Sequence, residues 1–362
     1  MQGALLPGWI GATVTLLILI ACSYAQFRHI GLALVAALAP LPGYGVAVAL
    51  HMPAQPLVYL CGFAVSLVLT SAIETRICDG IPPAEAAKRS VSELFPILIW
   101  PIALVTCTAI VLPLIEYVFA GLVLPLAVVL CGASALIFAP LAPRFLFYRE
   151  EFITQANRLR EKREGWLDAL TFVVQPRWGW SVSGIALIFA VLGFFGGENS
   201  AAICLFAAIA ALPAILGVLF AAFAYAATRN MRRTIAFLLT AAVLMCLMVW
   251  TSARIVPDVR DAPLAIALAA TPALILAGQS SVFARTGDTV AVATLRGFER
   301  CAVPIIFFCL AAALALCAAG AYGAAILVTC GGCAALMVFP ALTTAIYDLF
   351  PPRVSLDAYR VR

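Results

Sequence analysis

Cys330-Gly-Gly-Cys333 is the arrangement in this chain whose residue types and spacing could do chemistry. Three residues apart on a helix, both thiols share a face, which would suit a redox pair or a metal site. A redox C-x-x-C needs a thioredoxin-like soluble context, and a zinc site needs further ligands. The two histidines, His29 and His51, are predicted on opposite sides of a membrane. Because the intervening glycines permit close helix contact, we expect Cys330 and Cys333 to serve packing, without a bound metal.

Other patterns that carry catalysis are missing from the sequence. It has no glycine-rich phosphate loop, no H-E-x-x-H motif and no set of serine, histidine and aspartate with suitable spacing. All 17 acidic residues are predicted in loops or at helix ends. Catalysis needs such groups gathered around a substrate. We therefore expect that the chain is not an enzyme and uses no cofactor.

The composition indicates the class of protein. Hydrophobic residues make up 65% of the 362 residues and charged residues 11%, and the mean hydropathy is +1.09. Soluble proteins carry roughly 25% charged residues, so this chain is predicted to be an all-α integral membrane protein. Its net charge of +5 then reflects basic residues on the cytoplasmic side of a membrane and does not indicate nucleic-acid binding.

About eleven hydrophobic segments are long enough to cross a membrane, since roughly 20 helical residues span its core. Their approximate bounds are 8–26, 30–50, 56–73, 94–114, 117–141, 178–195, 201–226, 234–253, 262–282, 302–320 and 323–346. The first segment has no basic residue before it and no clear cleavage site after it. It is therefore predicted to be a transmembrane helix and not a signal peptide.

The basic residues orient these segments. With the amino terminus outside, 20 of the 22 lysines and arginines fall on the inner side, and the other two are Arg254 and Arg260. The positive-inside rule thus predicts a multi-pass protein of a bacterial inner membrane with a cytoplasmic carboxyl terminus. Outer connections such as 51–55 and 196–200 are too short for a folded domain.

The longest polar segment, residues 142–177, separates five predicted spans from six. Apolar residues recur in it at three- and four-residue spacing, namely Phe145, Tyr148, Phe152, Ala156 and Leu159. Such spacing predicts an amphipathic helix, which would lie in the membrane interface or form a solvated linker. The predicted domains are a first five-helix repeat (1–141), this linker (142–177), a connecting helix (178–200), a second repeat (201–348) and a cytoplasmic tail (349–362).

Two cytoplasmic turns share one pattern of charge, in which an arginine precedes an aspartate by three residues and a second arginine follows. The first charged turn, residues 76–89, holds Arg76, Asp79 and Arg89, and the second charged turn, residues 285–296, holds Arg285, Asp288 and Arg296. The offset stays near 208 residues, which predicts two parallel five-helix repeats in a 5+1+5 order. We expect the charges to pair with their neighbours; the alternative is a docking surface formed by both turns.

The chain resembles the resistance–nodulation–division (RND) superfamily, especially its MMPL-type lipid-exporting branch. The segments that carry the resemblance are GFAVSLVLTSAIETRICDGIPPAEAAKRSV, similar to the family's middle helix and charged turn, and WLDALTFVVQPRWGW, similar to the interfacial helix that leads into its second half. The predicted helix count equals the family's twelve spans without the first. This resemblance implies transport of a lipid or another hydrophobic substrate.

Two parts of the family's pattern are missing. The family places one large porter domain after its first helix and another after its seventh, where this chain has residues 1–7 and 196–200. In many relatives the middle helix carries a protonatable aspartate in Gly-x-Asp-Tyr, whereas here Ala64 follows Gly62-Phe63, and the matching place in the second repeat is Ala273. Ionisable groups in the bilayer interior mark proton pathways. We therefore expect no proton pump of the family's usual kind.

Polar side chains at matching places in the third and ninth spans are candidate substrate-binding residues. They are Thr70, Ser71, Gln279, Ser280 and Ser281. In an RND-like bundle these two helices would face each other at the centre. The side chains would either line a polar cleft or bond to neighbouring backbone carbonyls.

The sequence therefore favours two functions. In the first, the protein moves or presents a membrane lipid or hydrophobic small molecule, which would enter between the two halves. In the second, it is a non-transporting lipid sensor or an assembly subunit with a separate periplasmic or membrane protein partner. A homo-oligomer is compatible with both.

Overall fold

The structure, a computed structural model, describes residues 8–50, 56–116, 123–146, 150–169, 211–252, 262–285 and 288–350, together with Tyr148 and scattered positions between 175 and 188. Every regular element in these residues is a helix, as predicted. The first six helices are α1 (Gly8–Phe27), α2 (Ile30–Leu38), α3 (Leu41–Ala49), α4 (Pro56–Cys78), α5 (Pro83–Glu116) and α6 (Val123–Leu141). The others are α7 (Glu150–Ala169), α8 (Ala211–Thr228), α9 (Met231–Ser252), α10 (Ala262–Arg285), α11 (Val290–Ala318), α12 (Tyr322–Met337) and α13 (Phe339–Leu349).

Six helical segments within the described residues are long and apolar enough to cross a membrane. They are Ile30–Ala49, Pro56–Cys78, Pro83–Ile110, Leu124–Phe145, Leu264–Arg285 and Val290–Ala318. A seventh results if α12 and α13, which meet at a bend of 41°, are counted as one span. The chain is thus a multi-pass membrane protein. The predicted span 178–195 lies largely outside the described residues, as do 196–210 and the tail beyond 350, so the count of eleven stays a prediction.

Proline breaks the second predicted span into α2 and α3. Pro40 lacks the N–H that would bond to the carbonyl of Ala36, and that carbonyl instead accepts a hydrogen bond from the hydroxyl of Ser66 on α4. Ser134 on α6 donates to the carbonyl of Ala39 at 2.7 Å. Backbone groups inside a membrane need such internal partners, so these two serines explain how the break is tolerated.

Helices α4 and α10 form the centre of the bundle. Both are apolar on all sides and almost completely buried, which is expected for helices surrounded by other helices. Helix α4 packs against α6 and α11, α10 packs against α12 and α5, and α4 and α10 touch each other. On the outside, α1 packs on α11 and α8 packs on α5. The two halves of the chain are therefore interleaved.

The predicted amphipathic linker contains α7, which packs against protein. Phe152 and Ala156 are buried, and the Phe152 ring lies 4.7 Å from that of His29 in the turn between α1 and α2. The expectation that Phe145 belongs to the same apolar face was wrong. It lies in a 3₁₀ turn over Ala142–Phe145 before α7 begins, and it is 75% exposed.

Candidate functional site at the charged end of the bundle

The charged end of the bundle is where α4 and α10 finish and α5 and α11 begin. Arg76, in the last turn of α4, donates hydrogen bonds to the Ser90 hydroxyl at 3.0 Å and to the carboxylate of Glu93 on α5. The same carboxylate accepts from both Nη atoms of Arg300 on α11, with Nη2 at 3.4 Å. Glu93 thus links arginines from the two halves of the chain, and this three-residue set is the Glu93 cluster.

Glu93 and Arg300, which join the two halves of the chain, occupy corresponding places in the sequence. Glu93 follows Arg89 by four residues, and Arg300 follows Arg296 by four residues. Both pairs are therefore one helical turn apart, on α5 and α11 respectively. A glutamate stands at this place in the first half and an arginine in the second, so the contact is attractive.

The two charged turns use their aspartates differently. Asp79 pairs with Arg160 of α7 at 2.9 Å, whereas Asp288 pairs with Arg296 of its own turn at 2.7 Å. Arg89 forms an exposed pair with Glu85, four residues earlier on the same helix. These contacts agree with the expectation that the turns' charges pair with neighbours.

Glu74 lies near the end of α4, in keeping with the prediction that acidic residues lie in loops or at helix ends, but it is buried there. Its residue exposure is 8%, because α7 covers this part of α4. Arg163 of α7 lies nearby and also donates to the backbone carbonyl of Gln26 on α1. Burial lowers the pKa of Arg163, while the Glu74 carboxylate opposes that change and Arg28 adds to it. Arg163 thus ties α7 to both α1 and α4.

A cavity of about 610 Å³ lies between these elements. Five arginines and three acidic residues are among its described lining residues, an excess of two positive charges. Its volume suits a drug-sized ligand, but ligand pockets for such molecules are mostly apolar. The cavity therefore fits a polar or ionic group better than an acyl chain.

The structure separates the five predicted substrate-binding residues. Ser71 is half-buried and lines the cavity, whereas Thr70 and Gln279 are almost completely buried. Ser280 donates to the carbonyl of Ala277 at 3.0 Å, which is the backbone-bonding alternative. Thr70 Oγ1 and Gln279 Oε1 have no hydrogen-bond partner among the described residues. These two oxygens are thus the buried, unpartnered atoms of the predicted set.

Ser281 bonds to Arg233, a residue that the sequence did not single out as a candidate. Its hydroxyl accepts a hydrogen bond from Arg233 Nη1 at 2.9 Å. Arg233 lies in the first turn of α9 and is only 2% exposed. In the sequence it was counted as one of many arginines on the inner side. Nothing in its neighbours Arg232 and Thr234 distinguishes it, because its burial depends on α9 packing against α10.

The second charged turn begins beside this arginine. Arg285 donates to the backbone carbonyl of Thr228 at the end of α8, at 3.4 Å. It is not among the lining residues of the cavity, whereas Arg76, Asp79 and Arg296 are. The charged turns therefore contribute to the cavity unequally.

The C-x-x-C segment is tightly packed in the structure. A side-chain carbon added at Gly331 would lie 2.3 Å from the carbonyl oxygen of Ala269, and one added at Gly332 would lie 2.0 Å from Cys309 Sγ. These close approaches explain both glycines. Cys330 is half-buried and Cys333 is exposed, and both are free thiols.

Ala64 on α4 and Ala273 on α10, which the resemblance matches to an aspartate of many RND relatives, are also packed. Ala64 is 2% exposed and Ala273 is 4% exposed. Neither helix carries an aspartate, glutamate, histidine, lysine or arginine between its first residue and Glu74 or Arg285, respectively. The centre of the bundle therefore has no charged group on these two helices.

Comparison with known proteins identifies the fold. No known protein-family model and no curated protein matches the chain. Among solved structures, SecDF in its super-membrane-facing form matches with a TM-score of 0.61 at 12% identity, over 94% of this chain and 61% of that one. SecDF from Thermus thermophilus, a translocon-associated membrane protein, matches with a TM-score of 0.57 at 15% identity, over 94% and 62%. The chain thus spans about three fifths of these structures' length, and its fold is similar to theirs.

Proposed function

We propose that this RND-like protein binds a lipid or another hydrophobic molecule and moves or presents it within a bacterial inner membrane. The observation that carries the proposal is the pair of buried, unpartnered oxygens, Thr70 Oγ1 and Gln279 Oε1, on the two central helices. A buried polar atom without a hydrogen bond costs about 1–3 kcal/mol. A ligand with a polar group and an apolar body would satisfy these atoms and remain in the membrane.

The proposal includes two parallel five-helix repeats, residues 1–141 and 201–348, in a 5+1+5 order. The interleaved packing of α1 on α11 and of α8 on α5 supports it. So does a pair of matched contacts, because Gly132 lies against Ile102 and Gly332 lies against Cys309. The two glycines are 200 residues apart and their neighbours 207 apart, close to the offset of the charged turns.

The remaining parts of the proposal follow the sequence. The protein would have its amino terminus outside and its carboxyl terminus in the cytoplasm. It would belong to the MMPL-type branch and would not be an enzyme. Since α4 and α10 carry no acid at the relay positions Ala64 and Ala273, energy would come from the substrate's own gradient or from a partner.

A second candidate is an assembly subunit of a membrane protein complex. The likeness to SecDF, a translocon-associated membrane protein, favours it, as does the closed packing around Ala64 and Ala273. In this case the cavity at the charged end would contact a partner protein, and no lipid would move.

Lipid redistribution in proteoliposomes tests the two candidates. Thr70→Val and Gln279→Met together remove both unpartnered oxygens at nearly constant volume. Thr271→Val is the matched control, because Thr271 is equally buried on α10 but already bonds to the carbonyl of Ala267. We expect a fluorescent phospholipid to exchange between leaflets with the wild-type protein and the control, and not with the double variant. No exchange with the wild-type protein, together with a co-purifying protein partner, would favour the assembly subunit.

A further inference from the structure

Arg233 is a buried cation with too few partners. One of its nitrogens, Nη1, bonds to Ser281, but Nε and Nη2 have no hydrogen-bond partner in the described residues. A guanidinium carries five N–H donors and stays protonated in proteins. Unlike a buried lysine or glutamate, it cannot remove the cost of burial by becoming neutral.

The groups around Arg233 add positive charge. Its electrostatic neighbours are Tyr347 on α13 and Arg285 on α10, and Arg285 repels it. Arg232 lies over the Tyr347 ring at 5.2 Å. The described acid on α13 is Asp348, whose side chain is exposed. No carboxylate among the described residues therefore pairs with Arg233.

The start of α9 also favours an anion here. The helix has 22 residues, and its amino-terminal end carries a partial positive charge from the aligned peptide dipoles. Asn230 caps the Arg232 N–H at 3.1 Å, so the helix begins in a defined geometry beside the buried guanidinium. Helix amino termini are common binding sites for phosphate groups.

A buried guanidinium with so few partners needs a counter-ion. Burying a charge without an opposite charge beside it is costly, and within the described part of the chain the hydrogen-bond partner of Arg233 is a neutral hydroxyl, that of Ser281. An oxyanion with at least two acceptor oxygens would bond to Nε and Nη2 together, since a guanidinium presents paired donors to phosphate. Basic pockets between transmembrane helices on the cytoplasmic side are known to hold anionic headgroups.

We propose that Arg233, with Arg285 and the amino-terminal end of α9, binds the phosphate group of an anionic ligand, supplied by a membrane phospholipid. The inference rests on the proposed lipid function, because Ser281 belongs to the predicted substrate-binding set. It adds the chemical class of the headgroup. The site is formed between α9, α10 and α13 and is separate from the cavity described above.

Thermal unfolding of the purified full chain in an uncharged detergent tests the site. The probes are phosphatidylglycerol, phosphatidylcholine and inorganic phosphate, each added to wild type and to Arg233→Met. Methionine keeps much of the volume and removes the buried charge, so we expect this variant to fold and to unfold at the wild-type temperature or above it when no probe is present. The matched control is Arg229→Asn, which removes an exposed arginine from the preceding turn, where asparagine tolerates the positive φ of 49°.

We expect phosphatidylglycerol to raise the unfolding midpoint of wild type and the Arg229 control. Arg233→Met should bind it at least about tenfold more weakly, the usual effect of losing a charge-assisted hydrogen bond. If inorganic phosphate raises the wild-type midpoint and phosphatidylglycerol does not, the site binds phosphate, but its ligand is a free ion and not a lipid. Two results would overturn the inference. One is an equal response of wild type and Arg233→Met to phosphatidylglycerol, and the other is no response of wild type to phosphatidylglycerol or to inorganic phosphate.

The same experiment separates the two proposals. Binding of phosphatidylcholine that does not depend on Arg233 would leave the lipid function standing and remove the phosphate site. Failure of the wild-type protein to bind any lipid would remove both.

Discussion

The two charged turns match in sequence and differ in their surroundings. In the first, Arg76 is largely buried against Glu93, and Asp79 reaches Arg160 of α7. In the second, Arg285 bonds to a backbone carbonyl of α8, and Asp288 stays within its own turn by pairing with Arg296. The same pattern of charges therefore gives an aspartate that pairs with a distant helix in the first turn and one that pairs locally in the second.

Helix α7 accounts for this difference. It packs against α4 and the turn between α1 and α2, and so it supplies Arg160 to the first charged turn. Among the described residues no corresponding helix packs on the end of α10. The two turns thus carry the same charged residues because of the sequence repeat, whereas α7, which has no described counterpart, determines which partner Asp79 pairs with.

The largest stability effect is expected from breaking the contact between the halves. Glu93→Gln leaves Arg76 and Arg300 facing each other without the shared carboxylate. The three side chains are only 14–28% exposed, so the loss should lie between that of a surface and a buried ion pair, about 2 kcal/mol. The measurement is the unfolding free energy in mixed micelles titrated with SDS.

Glu85→Gln is the matched control for that change. It makes the same chemical substitution eight residues earlier on α5, where Glu85 and Arg89 are about half exposed. We expect a loss of no more than about 0.5 kcal/mol. Equal losses for the two variants would show that the Glu93 cluster does not join the halves energetically.

The second effect concerns the attachment of α7. Arg163→Met removes the hydrogen bond to the Gln26 carbonyl and the charge beside Glu74. Since hydrogen bonds of charged groups contribute about 1.5–3 kcal/mol, hydrogen exchange of the α7 amides should accelerate by roughly tenfold or more. Arg158→Met, at an exposed position on the same helix, should leave it unchanged. An identical exchange pattern in both variants would mean that packing at Phe152 alone holds α7.

The smallest effect sharpens the comparison of the two aspartates. The Asp288 side chain is 19% exposed and the Asp79 side chain 49%. Asp288→Asn should therefore cost about 1 kcal/mol and Asp79→Asn only a few tenths, as for exposed pairs. Unfolding in low and high salt measures both, and salt should weaken the Asp79 contribution more. A larger loss of unfolding free energy for Asp79→Asn than for Asp288→Asn would contradict the expectation that the less exposed pair contributes more.

The sequence predicted the all-helical fold and several membrane spans, because the length of an apolar segment that crosses a membrane follows directly from membrane thickness. The equal spacing of Arg89 with Glu93 and of Arg296 with Arg300 is visible in the sequence, but their contact across the two halves is visible only in the structure. The burial of Glu74 and Arg233 could not be predicted. Each depends on a neighbouring helix, α7 or α10, whose position is set by tertiary packing and leaves no periodic signal around the buried residue.

The most direct test of the proposed function is native mass spectrometry of the full chain extracted gently from its own membrane. The wild-type protein should carry a specific phospholipid, and the Thr70→Val, Gln279→Met double variant should lose it while Thr271→Val retains it. A stoichiometric protein partner with no preferred lipid would contradict the lipid function and identify the chain as an assembly subunit.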